Sequence, residues 1–552
     1  MLPRPLMLAF ELRFLPLTLS LIGVVALISA FGASLNGASL LATLLLGAMS
    51  AVGLYDLVQT RHAVLRNYPI SAHLRFLLEG FRPEIRQYFL EDETHGYPFS
   101  RETRTVIYQR AKNSVDNLPF GTQLNVYGEG FEWLAHSMTP RKAKGANFRV
   151  RVGGPDCLQP YDMSIFNISA MSFGSLSANA ILALNAGARM GGFAHDTGEG
   201  GFSPYHSRHG GDLIWEIGSG YFGCRTLDGA FDPEAFAEVA RNDQIKMIEI
   251  KLSQGAKPGH GGILPAAKVT PEIARIRGVR AGADCVSPAT HSAFHTPLEL
   301  MQFIGRLRAL SLGKPVGFKL CIGQPEDFLS LCKAMLETNV YPDFIVIDGK
   351  EGGTGAAPLE FMDHLGMPMR EGLTLAHHAL IGIGARHRIR LGVSGKVATA
   401  FEIARALALG ADWCNSARGF MFALGCIQSL KCHTDRCPTG VATQDPLRAR
   451  ALVAANKAER VYNYHRSTMV ALAELAASAG IDHPSGFRPT HFYRRVSGVS
   501  VASFAELWPP PMPGSFVSGD ADARYAAAWS QARAGGSGQG EALRSAERFV
   551  ST

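Results

Sequence analysis

From residue 165 onward, short apolar runs alternate with longer amphipathic ones. The runs at 166–171, 193–196, 247–252, 284–287, 316–321, 344–347, 389–393 and 412–415 are rich in aliphatic, β-branched and aromatic residues and are too short for helices, so they are predicted to be strands. Between several of them lie stretches with apolar residues at helical spacing: 178–190, 297–312, 326–337 and 397–409. Strand–helix alternation predicts right-handed βαβ units on a parallel sheet. About eight such units over roughly 250 residues is the size of an α/β TIM barrel, (β/α)8, of aldolase type. A doubly wound open sheet is the alternative. Gly-rich and polar residues fall just after the strand ends, where a barrel gathers its active site.

The other long apolar pattern is different. Residues 14–55 contain no Asp, Glu, Lys or Arg. One membrane crossing takes about 20 residues, so this run predicts a transmembrane hairpin within residues 1–57, turning near Asn36 and Gly37. Arg4 and Arg13 precede it, and Arg61, Arg66 and Arg75 follow. Basic flanks predict that both ends, and the large domain that follows, lie in the cytoplasm of a multi-pass cell-membrane protein. The alternative is a cleaved signal peptide ending near residues 30–34, with 38–54 left as an anchor of opposite topology.

Residues 58–164 are expected to be a mixed lead-in packing on the barrel, helical over 71–90, a strand over 122–127 and a solvated loop at 141–144. The barrel is expected over 165–445. Residues 446–495 should be helices covering it, compact structure should end at the prolines of 509–513, and the Gly/Ser/Arg-rich tail from Ala532 should be mobile.

Charged residues are only 18% of the chain and the formal charge is +7. Part of that charge lies beside the apolar run, where it would meet anionic lipid. No basic cluster interleaved with aromatics points to nucleic acid.

Three of the nine cysteines form one short run, Cys426, Cys432 and Cys437, in the pattern C-x5-C-x4-C-P. Several thiolates converging from one loop suit a soft metal centre such as an iron–sulfur cluster, and the following Pro438 lets the chain turn away. Three ligands suggest a three-iron cluster, or one whose fourth ligand lies elsewhere. The plainer reading is three buried core thiols, which a segment also carrying Lys431, His433, Asp435 and Arg436 disfavours. Lys319, inside the apolar run 316–321, must point into a polar site or meet a buried partner.

This cysteine loop, extended through Gly440, Ala442 and Gln444, resembles that of glutamate synthases. The resemblance runs upstream through Ser169-Ala-Met-Ser-Phe-Gly174, Asp196-Thr-Gly-Glu-Gly-Gly201, Ile250-Lys-Leu-Ser-Gln-Gly-Ala-Lys-Pro-Gly-His-Gly-Gly262 and Asp348-Gly-Lys-Glu-Gly-Gly-Thr-Gly355. The chain resembles the FMN-binding synthase domain of that family in a short, stand-alone, membrane-attached form. The resemblance implies FMN and a 3Fe-4S cluster on Cys426, Cys432 and Cys437. It places Ala170, Met171 and Ser172 under the flavin ring and Gln254 at its pyrimidine edge. Gly352, Gly353, Thr354 and Gly355, with Gly395, Ser416, Ala417 and Arg418, would hold the ribityl phosphate. Glu199 would orient an ammonium or imine, Lys257 a dicarboxylate substrate, and Lys319 the charge of reduced flavin. His195, His260 and His291 lie near the same rim; one of them is a candidate proton donor, the plainer reading of each being a hydrogen-bonded structural residue.

The implied reaction is reductive amination of 2-oxoglutarate with ammonia to glutamate. Two positions depart from the family pattern: Tyr221 stands where it has Arg, and Ile263 where it has Gln. They leave open a related amine-forming or dehydrogenating enzyme acting on another 2-oxo acid. A non-catalytic membrane electron-relay or scaffold subunit is the reading from a different class. Residue 2 is Leu, so no cysteine nucleophile for amidotransfer follows Met1, and no convincing G-x-G-x-x-G follows a strand, so no NAD(P)H domain is expected. Electrons are therefore expected from an external donor such as a ferredoxin or reductase subunit, and ammonia from solution or a separate glutaminase.

Overall fold

The structure, a computed structural model, describes residues 10–30, 37–353 and 355–536. It divides into two compact units, Met1–Arg101 and Glu102–Thr552.

In the first unit the apolar run forms two helices, Leu15–Ala30 and Gly37–Val58, packed side by side. Small residues let them approach: a Cβ on Gly23 would lie 2.8 Å from Leu46, and the buried hydroxyls of Ser20 and Ser50 meet at 3.0 Å. Their remaining faces expose leucines, isoleucines and valines. Gly37–Val58 is long and apolar enough to cross a membrane; Leu15–Ala30 is shorter. Asn36, at the expected turn, lies outside the described residues. Asp56 is fully buried and accepts from Ile70 N–H and from the His73 ring, each at 3.0 Å. Helix Ser71–Ile85 continues as a π turn through Arg86–Leu90.

The second unit is built on a closed parallel barrel of eight strands in sequential order: β1 Phe166–Ile168, β2 His195–Asp196, β3 Leu213–Ile217, β4 Ile245–Lys251, β5 Val316–Leu320, β6 Phe344–Asp348, β7 Arg390–Ser394 and β8 Trp413–Ser416. The layer around it includes α1 Ala178–Gly191, α2 Pro233–Ala240, α3 Pro297–Leu310, α4 Pro325–Thr338, α5 Met369–Gly382, α6 Ala400–Ala408 and α7 Arg418–Leu424. Local signals start these helices where they start. Ser177 caps α1, Asp232 caps α2 ahead of Pro233, and Thr296 with Glu299 and Thr399 with Glu402 close capping boxes on α3 and α6. Helix α8, Ala454–Ser478, covers α1, α6 and α7.

Four expectations are corrected. The third barrel strand is Leu213–Ile217, an apolar run broken only by Glu216 that the sequence reading passed over. The run at 284–287 is no barrel strand: Cys285–Val286 pairs antiparallel with Ile263–Leu264 in the long connection from β4 to α3. Residues 122–127 form turns rather than a strand, because nothing offers that segment a ladder. Compact structure does not end at 509–513: Ser515–Ser518 and Ala523–Gln531 fold back, with Phe516 buried against Gly382 and Ala532 and Ala534 also buried. The rest of the tail, 537–552, lies outside the described residues.

Strand β5 tolerates no side chain at Gly317, where a Cβ would fall 2.1 Å from the Phe344 carbonyl of β6. Overpacking costs about 1–3 kcal/mol, and here the obstacle is backbone. Gly317→Ala is expected to reach the upper end of that range, read as a lowered thermal unfolding midpoint; an unchanged midpoint would contradict the packing.

Candidate active site

Strand alternation turns four charged side chains into the barrel: Asp196 of β2, Glu216 of β3, Glu249 of β4 and Lys319 of β5. All are essentially inaccessible to solvent. Lys319 Nζ contacts Glu216 Oε2 and lies 3.4 Å from Glu249 Oε2. Oxygens of the three carboxylates lie within 4.8 Å of one another, the only such trio of ligand atoms among the described residues. The ammonium is their countercation. Burial opposes its charge, but Glu216, Glu249 and Asp196 together hold its pKa well above the usual lysine value. Burial, reinforced by Asp196, pushes Glu249 well up; burial and Glu216 push Asp196 up to about 7. One cation cannot neutralise three carboxylates, so the cluster retains protons. The expected Lys319 is thus an interior, paired lysine.

At the carboxyl-terminal rim, Asp196 accepts from Gly198 N–H at 2.9 Å and fixes the turn that carries Glu199. Lys251 Nζ donates to Glu199 Oε2 at 2.9 Å. Burial opposes ionisation of Glu199, but Lys251, with Arg277 and Lys257 contributing, holds its pKa below the usual carboxylate value. Two glycines make room for it: a Cβ on Gly262 would fall 2.0 Å from Glu199 Oε1, and one on Gly218 3.1 Å from Oε2. Lys257 is buried and donates to the Ala356 carbonyl at 3.1 Å; burial lowers its pKa.

The loop after β1 holds Ala170, the buried Met171 and Ser172. It touches the Glu199 turn backbone to backbone, since a Cβ on Gly198 would meet Ser172 N at 2.6 Å. Arg277 Nη2 donates to Ser172 Oγ at 3.3 Å and to the Phe173 carbonyl at 3.1 Å. Half-buried Gln254 precedes Gly255, whose N–H donates to Asp348 Oδ2 at 2.9 Å, seating the β4 loop on the β6 loop. Gly352 has φ +89°, and a Cβ there would lie 3.9 Å from Arg418 Nη1. Gly353 faces open space, and a Cβ on Gly355 would lie 3.8 Å from Lys257 Nζ; Thr354 lies outside the described residues. Gly395 packs against Met369 and Glu351. Arg418 donates to the carbonyls of Glu351 and Gly352, and burial brings its pKa down to about 10. Ala417 precedes α7, while the buried Ser416 hydroxyl donates to the Val397 carbonyl. The structure therefore brings Gly352, Gly355, Lys257 and Arg418 together and turns Ser416 inward.

Sequence reasoning missed Lys396, at φ +57° directly after Gly395. It is half-buried, with its pKa lowered by burial and by the neighbouring Arg418. A Gly-Lys pair after a strand was the available signal. Lys251 and Arg277 were also missed as site residues. Tyr221 is buried, and its hydroxyl accepts from Ala293 N–H at 3.0 Å beside the His291 ring at 3.1 Å; it shapes the loop around residue 291. Ile263 is exposed. His291 is pushed down to about 4 and His206 to about 3 by burial, and His195, buried beside His206, falls well below its usual value. His260 is half-buried, its Nδ1 2.9 Å from its neighbour's carbonyl, Gly261 O. The run from Gly218 to Gly223 does spell G-x-G-x-x-G after β3, but no helix opens on it.

Gly425, at φ +109°, ends α7 and releases the cysteine loop. Tyr108 donates to the Cys426 carbonyl at 2.6 Å. Burial pushes Cys426 up to about 12 and also raises Cys432. Burial opposes Cys437 as well, but the Thr439 hydroxyl and the N–H groups of Ala442, Thr439 and Val441 bring its thiol below the usual value. The loop is clipped to the β1 loop: Lys268 Nζ donates to the carbonyls of Ser175 (2.8 Å) and Ala442 (3.0 Å), and Gln444 Nε2 to those of Gly174 (3.0 Å) and Leu176 (2.7 Å).

The folded state keeps the Asp196 proton up to about pH 7, whereas 3.8 is the ordinary value. Its stabilising contribution is therefore complete below the ordinary value and is lost as pH rises through the folded one. Asp196→Asn is expected to flatten the fall of the unfolding midpoint between pH about 4 and about 7. Lys319→Met, which strands the carboxylates, should destabilise by about 3–5 kcal/mol; a midpoint within a degree of the parent's would refute the pairing.

Residues 160–482 match the family described as the conserved region in glutamate synthase. The glutamate synthase large subunit-like protein YerD of Bacillus subtilis is 39% identical over 487 residues, covering 80% of this chain and 92% of that protein. The archaeal-type glutamate synthase [NADPH] of Thermotoga neapolitana is 35% identical over 315 residues, covering 57% and 59% respectively, so this chain spans about six-tenths of that relative. Among solved structures, a mandelate oxidase with (S)-4-hydroxymandelic acid has a TM-score of 0.42 at 14% identity, covering 77% of this chain and 99% of that one, too distant to bear on chemistry. This chain belongs to the glutamate synthase family and is an oxidoreductase on a closed (β/α)8 barrel.

Proposed function

We propose that the protein is a glutamate synthase-like enzyme that reductively aminates a 2-oxo acid, 2-oxoglutarate by family, using FMN served by an iron–sulfur cluster. The observation that carries this reading is the clipping of the cysteine loop to the β1 loop through Lys268 and Gln444. Two segments that a flavin and a cluster would each need are held as one body.

The residues fit both groups. Gly352, Gly353 and Gly355 leave space where side chains would intrude, and Lys396 and Arg418 bring two cations to the ends of β7 and β8, where barrels bind phosphate. Two half-buried cysteines and one buried one on a single loop, the buried Cys437 eased toward thiolate, are a soft donor set suited to a polynuclear cluster. When bound, FMN supplies hydride transfer and the cluster single-electron transfer.

The chain's own residues bind and orient. Glu199, kept ionised, holds a cationic ammonium or iminium. Lys257 and Arg277, close enough to Glu199 to bear on its ionisation, give the rim the positive character that suits a substrate's carboxylates. The neutral His291 braces the Lys251 carbonyl at 2.9 Å rather than moving protons. One observation favours a different 2-oxo acid: exposed Ile263 offers an apolar contact where the family has an amide. An external carrier would supply the electrons, and solution ammonia or a separate glutaminase the nitrogen. The N-terminal helices would anchor the protein in the cell membrane with the barrel in the cytoplasm, a reading supported by the length and exposed apolar faces of Gly37–Val58.

Anaerobically purified protein in detergent should contain about one FMN and about three irons per chain. Cys432→Ser should lose the iron and keep the flavin. Arg418→Gln should lose most of the flavin. Glu199→Gln should keep both and lose about 100-fold in amination of 2-oxoglutarate with reduced dye. A parent protein that stays colourless after reconstitution would sink the redox reading and leave the scaffold alternative.

A further inference from the structure

The amino-terminal face of the barrel, opposite the catalytic rim, holds a cavity of about 530 Å³, within the range of small-molecule sites. It lies where Ile165 leads into β1, Arg390 begins β7 and Asp412 leads into β8.

Its wall is strongly unbalanced in charge. Arg149, Arg151, Arg386, Arg390 and Arg488 line it against a single carboxylate, Asp412. Asp412 is already committed, to Arg386 at 2.8 Å, to Arg390 at 3.8 Å and to the Leu391 N–H at 2.7 Å. Arg151 also reaches Asp162, outside the wall, at 3.5 Å. Even with both carboxylates counted, positive charge is in excess. Two histidines of the wall add none: burial pushes His377 down to about 3 and His378 to about 4.

Thr374 borders the cavity with its hydroxyl shielded from solvent. The rest of the wall supplies flat and apolar surface from Ile381, Phe487 and Trp508. Guanidinium forks match phosphate oxygens in pairs and also stack on flat rings.

We propose that this pocket binds a nucleoside phosphate, its phosphate on the arginines and its base on the apolar wall. The site is separate from the catalytic rim and independent of what the rim does.

The test is isothermal titration of the full-length protein in detergent with AMP, GMP, CMP and UMP, then with the matching nucleoside and with inorganic phosphate. At least one nucleotide should bind saturably. Its nucleoside and phosphate alone should each bind at least tenfold more weakly. The Arg151→Gln/Arg488→Gln double variant, which changes two exposed side chains, should weaken nucleotide binding at least tenfold with an unchanged unfolding midpoint. Arg418→Gln, at the opposite end of the barrel, should leave it unchanged. Absence of binding by all four nucleotides would overturn the proposal. So would phosphate binding as tightly as the nucleotide, or binding that Arg418→Gln abolishes and the double variant does not.

Discussion

Everything at the catalytic end of this barrel depends on one ammonium group. Lys319 stands inside a closed sheet with Asp196, Glu216 and Glu249, and no water-facing route relieves their charge. Burying an unpaired carboxylate is prohibitive, so the lysine and the retained protons together make the interior possible. The same arrangement fixes the rim. Asp196 is the last residue of β2, and its bond to Gly198 N–H sets the turn that presents Glu199. The Glu199 partner, Lys251, closes β4 two residues after Glu249. Interior pairing and rim geometry are thus the two faces of the same strands, and a change in one is transmitted through a residue or two of rigid backbone.

The loops above the rim are held by contacts that only small residues permit. Gly198 against Ser172, Gly255 against the Gly349 carbonyl, and Gly262 against Glu199 are approaches that a Cβ would block. Long side chains then bridge outward, Lys268 and Gln444 joining the β1 loop to the cysteine loop. Both bridges end on backbone carbonyls, so they specify loop position rather than side-chain identity at the far end. This explains how a loop with three thiols and several charges keeps a defined place without a hydrophobic core of its own.

Much of this was legible in sequence. Short apolar runs separated by amphipathic segments gave seven of the eight barrel strands, since a parallel strand buried on both faces must be apolar throughout. Leu213–Ile217 was passed over although it is apolar but for Glu216, whose partner Lys319 lies 103 residues away. Lys319 itself was conspicuous as a charge in an apolar strand, but no local pattern names a partner at that distance. The rim glycines were readable as a class but not apart: Gly198, Gly255 and Gly262 stand where a Cβ would clash, whereas Gly353 and Gly355 have room for one. Lys396 was passed over because a lone lysine after a strand is ordinary on a surface; only the burial beside Arg418 distinguishes it. Phe516 and the helices after the proline run were hidden by composition, since prolines mark a turn but not what the chain does beyond it.

The interior and the rim also balance electrically. Lys251, Lys257, Arg277, Lys396 and Arg418 make the rim cationic, against Glu199, Asp348 and Glu351. Directly beneath lie three carboxylates with one lysine. Fully ionised, that cluster would carry net negative charge a few ångströms below the rim and would compete with any anionic group for the rim's cations. The raised pKa values of Asp196 and Glu249 are what prevents this: the protons that burial forces the cluster to keep also leave the rim's positive field free to act outward. A low-dielectric barrel thus keeps the carboxylates at its centre from offsetting the positive charge at its mouth.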